Sequence, residues 1–148
     1  MKKPILYLFL FLMMAGCGGD PLAPLDAAVT GPADSPFTVN PPGGGTSFVG
    51  PLDFQVKNAA GIALPGVQME IFAYNGGVLT DLNGNLLDAT TPDYFKTETD
   101  DRGLARAFFL IALPDCSATE DLTFAGSVGA TVGVTSDLWT GTYTIKKC

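Results

Sequence analysis

Three cysteines, no histidine and 15 carboxylates bound the chemistry open to this chain of 148 residues. Without imidazole, the Ser-His-Asp arrangement and the usual acid–base pairs are absent. Carboxylates alone could form a dyad, and the closest cluster is Glu98, Asp100 and Asp101. It falls at Asp100-Asp101-Arg102-Gly103, a hairpin-turn sequence in which solvent keeps carboxylates ionised. No catalytic residue is expected, and the chain is not expected to be an enzyme. Asp81, Asn83 and Asn85 place oxygen side chains at alternate positions, the spacing with which a calcium loop begins. Leu86 stands where such a loop needs glycine, and Pro92 stands where it needs its closing acid. Asn83-Gly84 also makes a β-turn unaided. Neither a metal nor a cofactor is expected.

The first cysteine has a different context. Lys2 and Lys3 precede an uninterrupted apolar run, Ile5 to Met14. Ten residues are too few for a mature membrane span, which takes about 20, but they suit the apolar core of a cleavable secretory signal. The run ends in Met14-Ala15-Gly16-Cys17, which resembles the lipobox of bacterial lipoproteins, with Met14 in place of the usual leucine. The resemblance implies that residues 1–16 are removed and that the Cys17 thiol carries the lipid. Gly18 lacks the aspartate that resembles an inner-membrane retention signal in enteric bacteria. The expected location is therefore the outer membrane of a Gram-negative envelope, on a face left open.

Removing Lys2 and Lys3 leaves six basic against 15 acidic residues, a net charge of −9. That balance argues against a nucleic-acid partner, because phosphate binding is driven by Lys and Arg. It argues equally against electrostatic docking on anionic lipid, so the membrane contact must come from the lipid on Cys17. Cys116 and Cys148 remain as an even pair in an oxidising compartment, where a disulfide is expected. If the last two strands form a hairpin, the start of one lies beside the end of the other. The two cysteines should then approach within about 7 Å between Cα atoms.

These side chains must be positioned by the elements between them. Residues 17–45 read as a lipidated tether: from Gly18 onward, 12 of 28 residues are Gly or Pro, with no Lys or Arg. A coil of that kind spans about 30 Å. Phe37-Thr38-Val39 could add an edge strand. Residues 46–148 read as one domain of short alternating runs separated by turns. Leu52, Phe54 and Val56 mark one half-buried strand, and Val67, Met69, Ile71 and Ala73 the next. Tyr94–Thr99 is a third. Leu104–Leu113 sets Ala105, Ala107, Phe109 and Ile111 against Arg106 and Phe108. Leu122–Phe124 and Ala130–Val134 are separate pieces, and Leu138–Lys147 sets Trp139, Tyr143 and Ile145 against Thr140, Thr142 and Thr144. No window has helical spacing, so the expected fold is all-β, an antiparallel sandwich.

The stretch Gly61-Ile62-Ala63-Leu64-Pro65-Gly66-Val67 and the later Thr99-Asp100-Asp101-Arg102-Gly103-Leu104-Ala105 resemble two motifs of bacterial Ig-like domains of the invasin/intimin type. The resemblance covers residues 46–148 and implies an Ig-like sandwich serving binding, adhesion or structural support in the envelope. Transthyretin-like and carboxypeptidase-regulatory-like sandwiches share the first motif. They imply instead a small-ligand or carbohydrate binder, for which Phe72, Tyr74, Phe108 and Trp139 would form a concave aromatic face. An accessory subunit of an envelope enzyme is a third reading. The long insertion Tyr74–Pro92 carries Val78, Leu79, Leu82, Leu86 and Leu87 beside Tyr74. These residues are either a recognition patch for an envelope protein or glycan, or another hairpin covering a sheet end.

Overall fold

The computed structural model describes residues 23–36, 45–113, 116–117, 119–145 and 147–148. Cys17, the signal segment and Phe37–Val39 lie outside them. Strands β1 (Ala28–Thr30), β3 (Gly45–Lys57), β7 (Leu104–Leu113) and β5 (Val78–Thr80) form one sheet in the order β1-β3-β7-β5. Strands β2 (Ser35–Pro36), β9 (Thr135–Ile145), β8 (Leu122–Val132), β4 (Gln68–Tyr74) and β6 (Tyr94–Glu98) form the other, in the order β2-β9-β8-β4-β6. Every pairing is antiparallel except β2 with β9. No helix occurs among the described residues, and the two sheets pack face to face as a β-sandwich.

The alternation in the sequence chooses the buried face, because neighbouring side chains in a strand point to opposite sides. Leu52, Phe54 and Val56 meet Ala105, Ala107, Phe109 and Ile111 from one sheet. Met69, Ile71, Ala73, Val128, Ala130, Val132, Trp139, Tyr143 and Ile145 come from the other. Phe109 and Trp139 meet edge-on across the middle at 6.0 Å between ring centres.

The two motifs about 30 residues apart in sequence form one clasp at the end of the sandwich where β3 finishes. Thr99 is buried; its Oγ1 donates to Leu64 O at 2.7 Å and accepts from Val67 N at 3.0 Å. Its backbone exchanges bonds with Gly66 and Val67, and Gly103 O accepts from Val56 N. Gly103 has φ +69°, and a Cβ there would lie 2.7 Å from Val56 O and 2.9 Å from Leu64 N. Both motifs are therefore the packing of one loop on another.

Three expectations change. Leu122–Phe124 and Ala130–Val134 are parts of one strand, β8, whose glycines look like breaks for packing reasons. A Cβ at Gly126 would lie 2.6 Å from the Phe109 ring, so the residue is small to admit a core aromatic. The final strand runs from Thr135 to Ile145 instead of Leu138 to Lys147. The stretch read as tether is partly structured: β1 pairs with the end of β3 and β2 lies along β9, while Ala27 and Val29 enter the core. Burial of Ala27 and Val29 together with the strand pairing of β1 and β2 opposes the ordering cost of this stretch.

The disulfide is present between Cys116 and Cys148, with a Cα–Cα distance of 5.2 Å. The β8–β9 hairpin brings the pair together, and Cys148 N donates to Ser117 O beside it.

Candidate functional site

The outward face of the five-stranded sheet carries a site-like surface. Register places Tyr94, Phe72, Gly129 and Leu138 in one row across β6, β4, β8 and β9. Tyr74, Ser127 and Thr140 form the next row, and Lys96, Glu70, Thr131 and Ser136 the row on the other side. Gly129 leaves the floor of the middle row at backbone level. Above it lies an open trough of about 700 Å³ lined by Tyr74, Asn75, Ser127, Thr131, Ser136 and Leu138, among others. That volume falls within the roughly 300–1,000 Å³ of small-molecule sites.

Tyr74 overhangs the floor: a Cβ on Gly129 would stand 3.2 Å from its Cε2 and 3.5 Å from its hydroxyl. The corner after it holds Tyr74 in place. Asn75 takes φ +60° and donates from Nδ2 to Ala125 O at 2.9 Å. Gly77 then passes so close to Phe109 that a Cβ would meet the ring at 2.0 Å. Beside the trough, on the same strand as Tyr74, Phe72 stacks obliquely on Tyr94 of β6 at 5.1 Å. Partial desolvation, reinforced by the Glu70 carboxylate, raises the Tyr94 pKa above its ordinary 10.0, so the phenol stays protonated and able to donate. Glu70 faces Lys96 at 4.0 Å. Ser127 and Thr140 hydroxyls lie 3.4 Å apart at the rim. The surface thus offers apolar faces to stack on and hydroxyls to bond to, and among the described residues the one carboxylate lining the trough, Asp137, accepts from the backbone of Gly31 and Leu138.

The four aromatics proposed for a single concave face are divided. Phe72 and Tyr74 share the outer face of one sheet, whereas Trp139 is buried in the core. Phe108 lies on the outside of the other sheet, stacked on Phe48 at 5.0 Å. In the sequence Tyr94 and Leu138 stand out only as the first residues of two expected strands, and Tyr94 as a flank of the insertion, while Gly129 does not stand out at all. Only the cross-strand register unites them, and a single chain's sequence does not carry that register.

The insertion Tyr74–Pro92 is part strand and part exposed turn. Val78–Thr80 is an edge strand on β7, and Leu79 is fully buried. Leu87 packs against the core from the side. Leu82 and Leu86 stay exposed on a turn organised by Asp81. The Asp81 carboxylate accepts backbone bonds from Asn83 and Asn85 and a side-chain bond from Asn85. That Asn85 side-chain bond is the first reason its pKa is lowered. Both Asp81 oxygens are thus engaged by the turn itself. Asp100 behaves alike, its Oδ1 accepting from Arg102 N and Leu104 N at 2.8 and 2.9 Å. Among the described residues no three His, Cys, Asp or Glu side chains converge as a metal-binding set.

No protein-family model, curated protein or solved structure matches this chain.

Proposed function

We propose that the chain is a lipid-anchored, non-catalytic binding module of the bacterial envelope, and that it takes its ligand in the trough over Gly129. The observation that carries the reading is the pairing of stacking surfaces with a hydroxyl rim on a rigid sheet face. Such a surface suits a ligand with apolar ring faces and hydroxyl edges, which is the chemistry of a neutral saccharide. The Ig-like assignment is supported by strand order. In the lettering of that fold, β1-β3-β7-β5 corresponds to A-B-E-D and β9-β8-β4-β6 to G-F-C-C′. The order of β5 and β6 along the chain is reversed from that scheme, since β5 joins β7 before β6 returns to β4. Anchoring rests on the Met14-Ala15-Gly16-Cys17 resemblance, and the outer membrane is expected because Gly18 stands where an inner-membrane retention signal carries aspartate.

Two measurements test this. Mass spectrometry of protein purified from membranes should show a chain beginning at acylated Cys17, and Cys17→Ser should leave the membrane fraction or stall as uncleaved precursor. A soluble chain beginning at Gly18 should bind neutral oligosaccharides released from the envelope, in calorimetric titration. Tyr74→Ala and Gly129→Val, the first removing the overhang and the second filling the floor, should each weaken binding by about tenfold, roughly 1.4 kcal/mol. Turnover of any oligosaccharide would contradict a non-catalytic module. Binding untouched by both substitutions would remove the trough.

A further inference from the structure

The end of the sandwich where the chain enters has an unusual surface. Ala23 packs beside Gly133 and partly against the core, and Ala27 N closes a turn onto Pro24 O. Around this entry lie the β3–β4 loop, the Asp100 turn and the β8–β9 hairpin tip, while the disulfide sits at the opposite end. Three of the most exposed apolar side chains crown it: Leu25 at 102%, Val134 at 95% and Ile62 at 63% of full exposure. They are held on tight turns. Asn58 Oδ1 accepts from Ile62 N, and Asp26 Oδ2 from Ala59 N, joining two of the three turns. Val134 sits in the two-residue connection between Val132 and Thr135. Isolated apolar residues are ordinary on a surface, but three rigid tips grouped around the chain's point of entry are not scattered.

The distance back to Cys17 supplies the occupant. Only six Cα steps separate Cys17 from Ala23. At no more than about 3.6 Å each, these reach roughly 20 Å. The packing of residues 23–36 on the sandwich has removed most of the tether that would otherwise hold the domain away. We infer that, with Cys17 acylated, this end seats on the bilayer surface and Leu25, Ile62 and Val134 reach into the boundary between headgroups and acyl chains. The strands then stand up from the membrane, with the trough opening sideways and the disulfide end outermost. Asp26, Glu98, Asp100 and Asp101 outnumber Lys57 and Arg102 here, so the contact is apolar and gains nothing from anionic lipid. The inference rests on the acylation of Cys17 and is independent of what the trough binds.

The test uses the full acylated protein in vesicles of neutral phosphatidylcholine brominated along its acyl chains. Tryptophan is introduced singly as Val134→Trp, Ile62→Trp or, on the exposed loop before β6, Ala89→Trp, over the constant background of buried Trp139. Bromolipid should quench the added fluorescence at positions 134 and 62 and leave that at 89 unchanged, with no difference when anionic lipid is mixed in. Quenching at 89, or its absence at 134 and 62 in acylated, vesicle-bound protein, overturns the seating alone. Protein recovered from the envelope without acyl groups overturns the anchor and the seating together. Self-association that buries position 134 without quenching assigns this end to a second copy and likewise overturns the proposal.

Discussion

A single hydroxyl joins the two motifs. Thr99 Oγ1 both donates and accepts in a buried clasp, so Thr99→Val keeps the shape and strands two backbone groups. The expected loss is about 1–3 kcal/mol, read as a lower denaturant midpoint with unchanged slope. Thr80 is the opposite case: its Oγ1 is buried without a partner among the described residues. Thr80→Val should therefore leave stability unchanged or raise it. Two glycines separate backbone conformation from close contact. Gly61 has φ +78° in open space, and alanine there should cost about 1–2 kcal/mol. Gly103 has φ +69° as well as backbone at 2.7 Å, so Gly103→Ala should cost clearly more in the same melt. Asp53 accepts from Arg106 through both oxygens, and that bond is the main reason its pKa lies below the ordinary 3.8. A lowered carboxylate pKa stabilises the fold above its unfolded value, and that stability is lost as pH falls through the folded value. Asp53→Asn should therefore flatten the acid limb of a stability–pH curve below about pH 4 and leave neutral pH little changed, the pair being exposed.

Among the elements, the hairpin β8–β9 and the strand β5 decide what can be removed. The Cys116–Cys148 bridge closes a separation of 32 residues over that hairpin. Replacing both cysteines by alanine should cost about 3–4 kcal/mol. Mass analysis of non-reduced, periplasmically produced protein should find neither thiol free. The insertion Tyr74–Pro92 is not dispensable as a whole, because β5 places Leu79 in the core and completes a sheet edge. Shortening only the exposed turn at Leu82–Asn85 should leave thermal unfolding cooperative, whereas deleting Val78–Thr80 should not.

For the whole molecule, the domain begins earlier than residue 46. A fragment starting at Thr46 lacks β1, β2, Ala27 and Val29, and it uncovers the edges of β3 and β9. Burial of Val29 alone is worth about 1.5–3 kcal/mol, so this fragment should melt below one beginning at Ala23. It should also aggregate more readily through the bared β3 edge, a difference that light scattering would record.

The sandwich was legible in the chain alone, because alternation at Leu52–Val56, Val67–Ile71 and Thr140–Ile145 admits one buried face per strand. The sequence also determined the cysteine pair, by parity, and the absence of an imidazole site, by composition. Three features needed the tertiary structure. Leu122–Phe124 and Ala130–Val134 read as separate pieces, and only the Phe109 ring beneath Gly126 and the Tyr74 ring above Gly129 explain the small residues that join them in β8. The row Tyr94–Phe72–Gly129–Leu138 depends on the register of four strands drawn from separate parts of the chain. Residues 23–36 have the composition of a tether, and only the open edges of β3 and β9 supply the pairing that orders part of them. Local pattern chooses the face a residue shows; which residues then meet is settled between strands, where packing and hydrogen bonding outweigh local preference.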